Sequence, residues 1–190
     1  MASPSELRQQ WLELAVEEMR PLFKLRWRPL PETLRVSVGW SSLGKRAAGV
    51  CYHTQASTDG HKEVFISPSS NHTHFILGVL AHELCHAALP DNTGHGKLFT
   101  QLGRSLGLEG KATTLGTGDG FKALFANAFV EKYGEYPAGA IATANRTKQK
   151  TAMLKCECPQ CGYVARTTRK WIVEAGTPIC PADRIPMDLC

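Results

Sequence analysis

The sequence predicts an α+β domain over residues 1–142, in which a three-stranded sheet packs on helices, and a small cysteine-rich module over residues 153–190, with a basic linker at 143–152 between them. Three observations predict it. Between residues 34 and 67, short apolar segments alternate with polar positions, the period of half-buried strands. From residue 73 to 133 apolar residues recur at three- and four-residue spacing instead, the period of helices packed by one face. Five of the seven cysteines fall in the last 35 residues, a crowding that marks a separate module.

Taken in order, Leu7, Trp11, Leu14, Ala15 and Glu18 set a helical rhythm with Ser5 as its cap, and Pro21, Pro29 and Pro31 end it. Leu34, Val36 and Val38 read as a strand running to Trp40, followed by a basic hairpin turn, Ser41–Arg46. Ala48–Thr54 and Lys62–Ser67 read as two more strands around a turn at Thr58-Asp59-Gly60. A helix starts near Asn71 or Thr73 and runs to about Leu89, with Phe75, Ile76, Val79, Leu80, Leu84 and Ala87 as its apolar face. A turn at Leu89–Gly94 leads to a further helix over Lys97–Leu108. Residues 109–120, rich in Gly and Thr, read as a loop at the rim of a cleft, and Asp119–Tyr133 as a last helix.

Of the net charge of +5, the first 142 residues carry 14 Lys/Arg against 13 Asp/Glu, and residues 143–190 carry 8 against 4. The excess sits in the tail, which fits an anionic partner, DNA or another nucleic acid first, or else a solvated segment that keeps the chain soluble. Met1–Glu6 has no apolar h-region, and no apolar run reaches the length of a membrane span. The expected setting is therefore a reducing, cytoplasmic one without a membrane partner, where crowded cysteines bind metal rather than form disulfides.

The helix over residues 73–89 carries Ala81-His82-Glu83-Leu84-Cys85-His86. His82 and His86 lie four apart, on one face, close enough to grip one zinc ion. Glu83 is about 100° round the axis from His82, beside the ion rather than on it, which suits a base acting on its water. A third ligand is needed, and Gly94-His95-Gly96 offers it, with both glycines letting the backbone come close. Cys85 reads as a buried thiol, Cys51 as packing, and His53, His61, His72 and His74 as ordinary polar residues.

The run His82-Glu83-Leu84-Cys85-His86-Ala87, followed by Gly94-His95-Gly96-Lys97-Leu98-Phe99, resembles the SprT-like metallopeptidase family. Ala56–Gly60, Glu63–Pro68 and the cysteine-bearing tail are also similar, so the likeness spans most of residues 34–190. The resemblance implies a compact, minimal zincin-like domain, one catalytic zinc and a glutamate base, in a family that includes proteases of DNA-crosslinked proteins.

In the tail, Cys158 and Cys161 form a C-x2-C pair, and Cys180 and Asp183 follow after eighteen residues. That is the spacing of a structural, zinc-ribbon-like site, except that aspartate stands at the fourth ligand position. Cys156 and Cys190 compete with Asp183 for that place. The family resemblance implies a Cys or His here, so Asp183 is a departure. Val164, Arg166, Arg169, Lys170 and Trp171 mix basic and aromatic residues on expected short strands, suited to DNA or to packing the module's small core. The expected cofactors are thus one catalytic and one structural zinc, and the expected activity is hydrolysis of peptide bonds in a protein substrate. The alternatives are a catalytically silent, zinc-stabilised DNA-binding adaptor and zinc hydrolysis of a non-peptide bond.

Overall fold

The computed structural model describes residues 4–41, 47–142 and 153–190. The linker expected at 143–152, and residues 42–46 of the expected basic turn, lie outside the described residues. The chain divides into two compact units, Met1–Thr143 and Ala144–Cys190.

In the first unit α1 (Pro4–Lys24) leads to β1 (Leu34–Val38), β2 (Gly49–Tyr52), β3 (Lys62–Ile66), α2 (Thr73–Ala88) and α3 (Lys97–Ser105). The two-residue strands β4 (Leu108–Glu109) and β5 (Gly116–Thr117) pair with each other. The unit closes with α4 (Asp119–Phe121), a π-helical turn (Lys122–Ala126) and α5 (Asn127–Tyr133). The sheet order is β1-β3-β2, with β3 parallel to β1 and antiparallel to β2. β2 and β3 are the expected antiparallel pair, but β1 and β2 are not neighbours in the sheet. Burial decides this: β3 buries Val64 and Ile66, and the strand that is apolar on alternate positions takes the centre.

α1 starts before the expected cap Ser5 and continues through Pro21 to Lys24. Met19 and Phe23 are both fully buried, so packing outweighs the backbone hydrogen bond that Pro21 cannot donate. The buried stripe of α1 is Trp11, Leu12, Ala15, Val16, Met19 and Phe23, while Leu7 and Leu14 face solvent.

α2 is the central element, packed against β2, β3, β5, α1 and α3. It is buried on most of its circumference rather than on one face. Phe75 is the exception to the expected apolar set, being half-exposed. Neither expected cap acts: His72 precedes the helix, and Thr73 Oγ1 accepts the backbone N–H of Tyr136 at 2.9 Å. Gly78 lets β5 lie on α2, since a Cβ there would sit 2.2 Å from Thr117 Oγ1. The expected loop at 109–120 is therefore partly a β-ribbon laid against the central helix.

In the second unit β6 (Leu154–Glu157) pairs with β7 (Val164–Thr167) and β8 (Asp188–Leu189), in the order β7-β6-β8. Between β7 and β8, Arg169–Ala175 forms a helix, α6, where a strand was expected. Thr168 precedes it in extended conformation, and Gly176 stops it at φ 82°. Trp171 is 54% exposed, so it does not pack the core; Ile172 does. Among the described residues no helix is long and apolar enough to cross a membrane.

Candidate metal centre

Four-residue spacing on a rigid, buried α2 brings His82 and His86 to one side of the helix, facing the turn that delivers His95. Asn92 (φ 65°) and Gly94 (φ 57°) reverse the chain within a few residues of the helix end. Gly96, by contrast, is extended in a conformation open to any residue, so of the two flanking glycines only Gly94 is required by its backbone. His95 Nε2 lies 3.2 Å from His82 Nε2 and 3.2 Å from His86 Nε2. His82 Nδ1–H donates to the Leu115 carbonyl at 2.9 Å, which leaves its Nε2 as a lone pair. Nitrogens about 2.0–2.1 Å from a tetrahedral ion are about 3.3–3.4 Å from each other, so the three rings fit a single ion between them.

Phe99 of α3 walls the rings in, with its centroid 4.8 Å from His82, 4.3 Å from His86 and 4.9 Å from His95. The sequence showed Phe99 only as part of an apolar helix face. Glu83 is 93% buried by residue area, yet its side chain lines the same cleft of about 740 Å³ as the three histidines. Gly49 of β2 makes room for it, since a Cβ there would stand 2.8 Å from Glu83 Cγ. The Cys51 backbone N–H hydrogen-bonds the carboxylate.

Burial pushes the Glu83 carboxyl up to about 7, against the Cys51 hydrogen bond. Burial lowers His82, and burial with the charges of His82 and His95 holds His86 down to about 3. Both histidines therefore stay neutral and able to bind metal near neutrality. The consequence for the metal-free protein is a pH-dependent stability. An unfolded histidine titrates near about 6.5, so below that pH the unfolded chain binds protons at two positions that the fold leaves bare, and stability falls towards about pH 3. Glu83 acts the other way, since the fold binds its proton between about pH 7 and 4.5 when the unfolded chain does not. In chelator, the melting temperature of the Glu83→Gln variant is expected to drop more steeply than that of the parent from pH 6.5 to 4.5. Equal slopes would contradict the assignment.

Lys62 of β3 is a buried cation that the sequence did not single out. Its Nζ donates to the carbonyls of Ala87 at 3.1 Å and Leu89 at 2.9 Å, the end of α2, and lies 3.0 Å from Asp91 Oδ1. It ties α2 to the loop that carries His95. Cys85 is fully buried and Cys51 partly so; burial raises both thiols, Cys51 to about 12. His74 meets Asn127 at 3.1 Å, and His61 meets Asp59, both away from the cluster.

In the second unit, one ligand atom from each of Cys158, Cys161, Cys180 and Asp183 lies within 4.8 Å of the others. Cys158 Sγ is 3.2 Å and Cys180 Sγ 3.6 Å from Asp183 Oδ2, and Cys161 Sγ is 3.5 Å from Cys180 Sγ. Those spacings are near the edges of a tetrahedron of sulfur and oxygen around one ion, about 3.5–3.8 Å. Two loops of the same build supply them. The Cys158 N–H donates to the Tyr163 carbonyl, the Cys158 carbonyl accepts from the Gly162 N–H, and Gly162 has φ 74°. The Cys180 N–H donates to the Ile185 carbonyl, the Cys180 carbonyl accepts from the Arg184 N–H, and Arg184 has φ 58°. Asp183 thus occupies in the second loop the position that Cys161 occupies in the first. Cys156 is buried in β6 and Cys190 is exposed with its thiol towards the Asp188 carbonyl; neither belongs to the group.

The sequence matches the profile of the SprT-like family over residues 9–116. No curated protein and no solved structure matches the chain.

Proposed function

The chain belongs to the SprT-like family, and on that premise we propose that it is a zinc-dependent metallopeptidase acting on protein substrates associated with DNA. The observation that carries the reading is the convergence of three Nε2 atoms beside a buried carboxylate in one cleft. His82, His86 and His95 hold the catalytic zinc, and the first unit is a minimal zincin-like domain. Bound there, the ion supplies Lewis acidity, lowering the pKa of a water towards about 7 and countering negative charge on the scissile carbonyl oxygen.

The remaining work falls to the chain. Glu83 takes the proton of the attacking water and passes it to the leaving amine; its raised pKa suits a group that must both accept and release a proton near neutrality. Among the described residues β2 pairs with β3 at one edge of the sheet, and Ala47–Cys51 line the cleft, so β2 offers backbone groups to an extended peptide without reading its side chains.

The second unit is a zinc-ribbon-like module held by Cys158, Cys161, Cys180 and Asp183. The excess of Lys and Arg over residues 143–190, with Lys170 Nζ 5.1 Å over the half-exposed Trp171 ring, favours a nucleic-acid backbone with bases stacked on the indole. Because Asp183 stands where its twin loop has Cys161, Asp183→Cys is expected to tighten zinc in this module by about tenfold, sulfur being the favoured structural ligand. Competition with a chromophoric chelator measures it, and unchanged affinity would remove Asp183 from the ligand set.

The test of the whole reading is elemental analysis of the full chain, expected to give two zinc ions, together with cleavage of β-casein with and without single-stranded DNA. Chelator-sensitive cleavage is the expected result. Two bound zinc ions with no cleavage of any protein, free or DNA-bound, would favour a silent adaptor instead.

A further inference from the structure

His53 stands in the cleft with a set of partners that zinc and Glu83 leave unused. It follows β2 and precedes a 3-10 turn, Thr54–Ala56, and its side chain lines the same cavity as Glu83, His86 and His95. Its Nδ1 lies 3.1 Å from Asp91 Oδ1, and an ionised carboxylate only accepts, so Nδ1 carries a hydrogen and donates it. Asp91 is itself braced. Thr54 Oγ1 donates to its Oδ2 at 3.1 Å, and the buried Lys62 ammonium lies 3.0 Å from Oδ1 while fastened to the Ala87 and Leu89 carbonyls. These partners outweigh burial and hold the Asp91 carboxyl below its ordinary range, so it stays ionised. The imidazole is thereby fixed through one nitrogen, and Nε2 is the nitrogen it has left for the cleft.

A hydrolytic site of this kind needs a second donor, beyond the ion, where negative charge gathers on the carbonyl oxygen. We propose that His53 is that donor, a further catalytic group whose Nε2–H hydrogen-bonds the scissile carbonyl oxygen of an extended peptide, with Asp91 as its positioning residue. The inference rests on the peptidase reading. In the step Nδ1–H stays with Asp91, the Nε2–H hydrogen bond is made to substrate, and no proton leaves the ring. The charged and titratable groups around it are Asp91 and Lys62 behind, and Glu83, His86 and His95 across the cleft.

The experiment uses the full zinc-loaded chain and two readouts: steady-state cleavage of a fluorogenic peptide, and calorimetric binding of a phosphinic analogue of tri-alanine, whose charged tetrahedral oxygens imitate the developing oxyanion. His53→Ala is expected to lower kcat by about 100-fold with KM changed by less than about twofold, and to weaken the phosphinate in parallel. Zinc content and melting temperature stay at parental values. His53→Gln, which keeps a side-chain N–H donor, recovers part of the loss. Asp91→Asn gives a partial loss, and the Asp91→Asn/His53→Ala pair is no worse than His53→Ala alone. His61→Ala, a histidine held by Asp59 outside the cleft, changes nothing. Parental kcat, or parental phosphinate affinity, in His53→Ala overturns the assignment. Should the parent protein cleave no peptide, the peptidase reading fails by itself, and the phosphinate comparison still decides for or against His53.

Discussion

Glu83→Gln is expected to bind zinc at His82, His86 and His95 as the parent does and to lower peptide cleavage by about 10²- to 10⁴-fold. The substitution keeps shape and keeps an oxygen to accept the Cys51 N–H, but it removes the one group in the cleft that is buried, close to the histidines and poised to titrate near neutrality. It also removes a buried carboxylate, so the fold is expected to be no less stable than the parent at pH 8. Equal zinc content by elemental analysis, an equal or higher melting temperature and a collapse of kcat form the expected pattern. A variant that cuts at the parental rate would show that the proton moves by another route.

Stripping metal from the second unit is expected to unfold it while the first unit stays folded. The buried cluster of the second unit is Cys156, Cys158, Cys180 and Met187, with Ala165, Ile172 and Ile185 partly packed against it. Two of its four buried members belong to the metal group itself. So small an apolar core cannot hold this many residues against their conformational entropy, and structural zinc typically supplies about 10–16 kcal/mol at pH 7. The core of the first unit, by contrast, runs from Trp11 to Tyr136 and includes fully buried Phe23, Phe99 and Phe121. In an amide-correlation spectrum of the full chain with chelator, signals from β6, β7 and α6 should move to unfolded positions while those of α2 keep their dispersion. Dispersed second-unit signals in a sample shown to be metal-free would refute the expectation.

The sequence made some of this legible and hid the rest for physical reasons. Spacing placed His82, Glu83 and His86 because helical geometry turns sequence distance directly into spatial distance. His95 was legible because the turn before it is short and rich in turn formers. Leu115 and Lys62 were not, because their roles are backbone acceptance and long-range tethering, which no local pattern encodes. The order β1-β3-β2 was obscured because nearness in sequence favours a hairpin, whereas burial of Val64 and Ile66 set the centre strand. In the tail, basic and aromatic residues read as strand, yet Thr168 and Gly176 bracket Arg169–Ala175 as a helix. Asp183 was one of three claimants from spacing; the repeated loop build around Cys158 and Cys180 is what distinguishes it from Cys156 and Cys190.

All three imidazoles come from one continuous stretch, His82 and His95 being thirteen positions apart, on a scaffold whose apolar interior does not depend on them. An ion held by them would close only a short loop and would do little to hold the chain together. Its exchange would then need no refolding, and dialysis against cobalt under native conditions is expected to yield a coloured protein whose visible absorption reports on the groups that hold the ion.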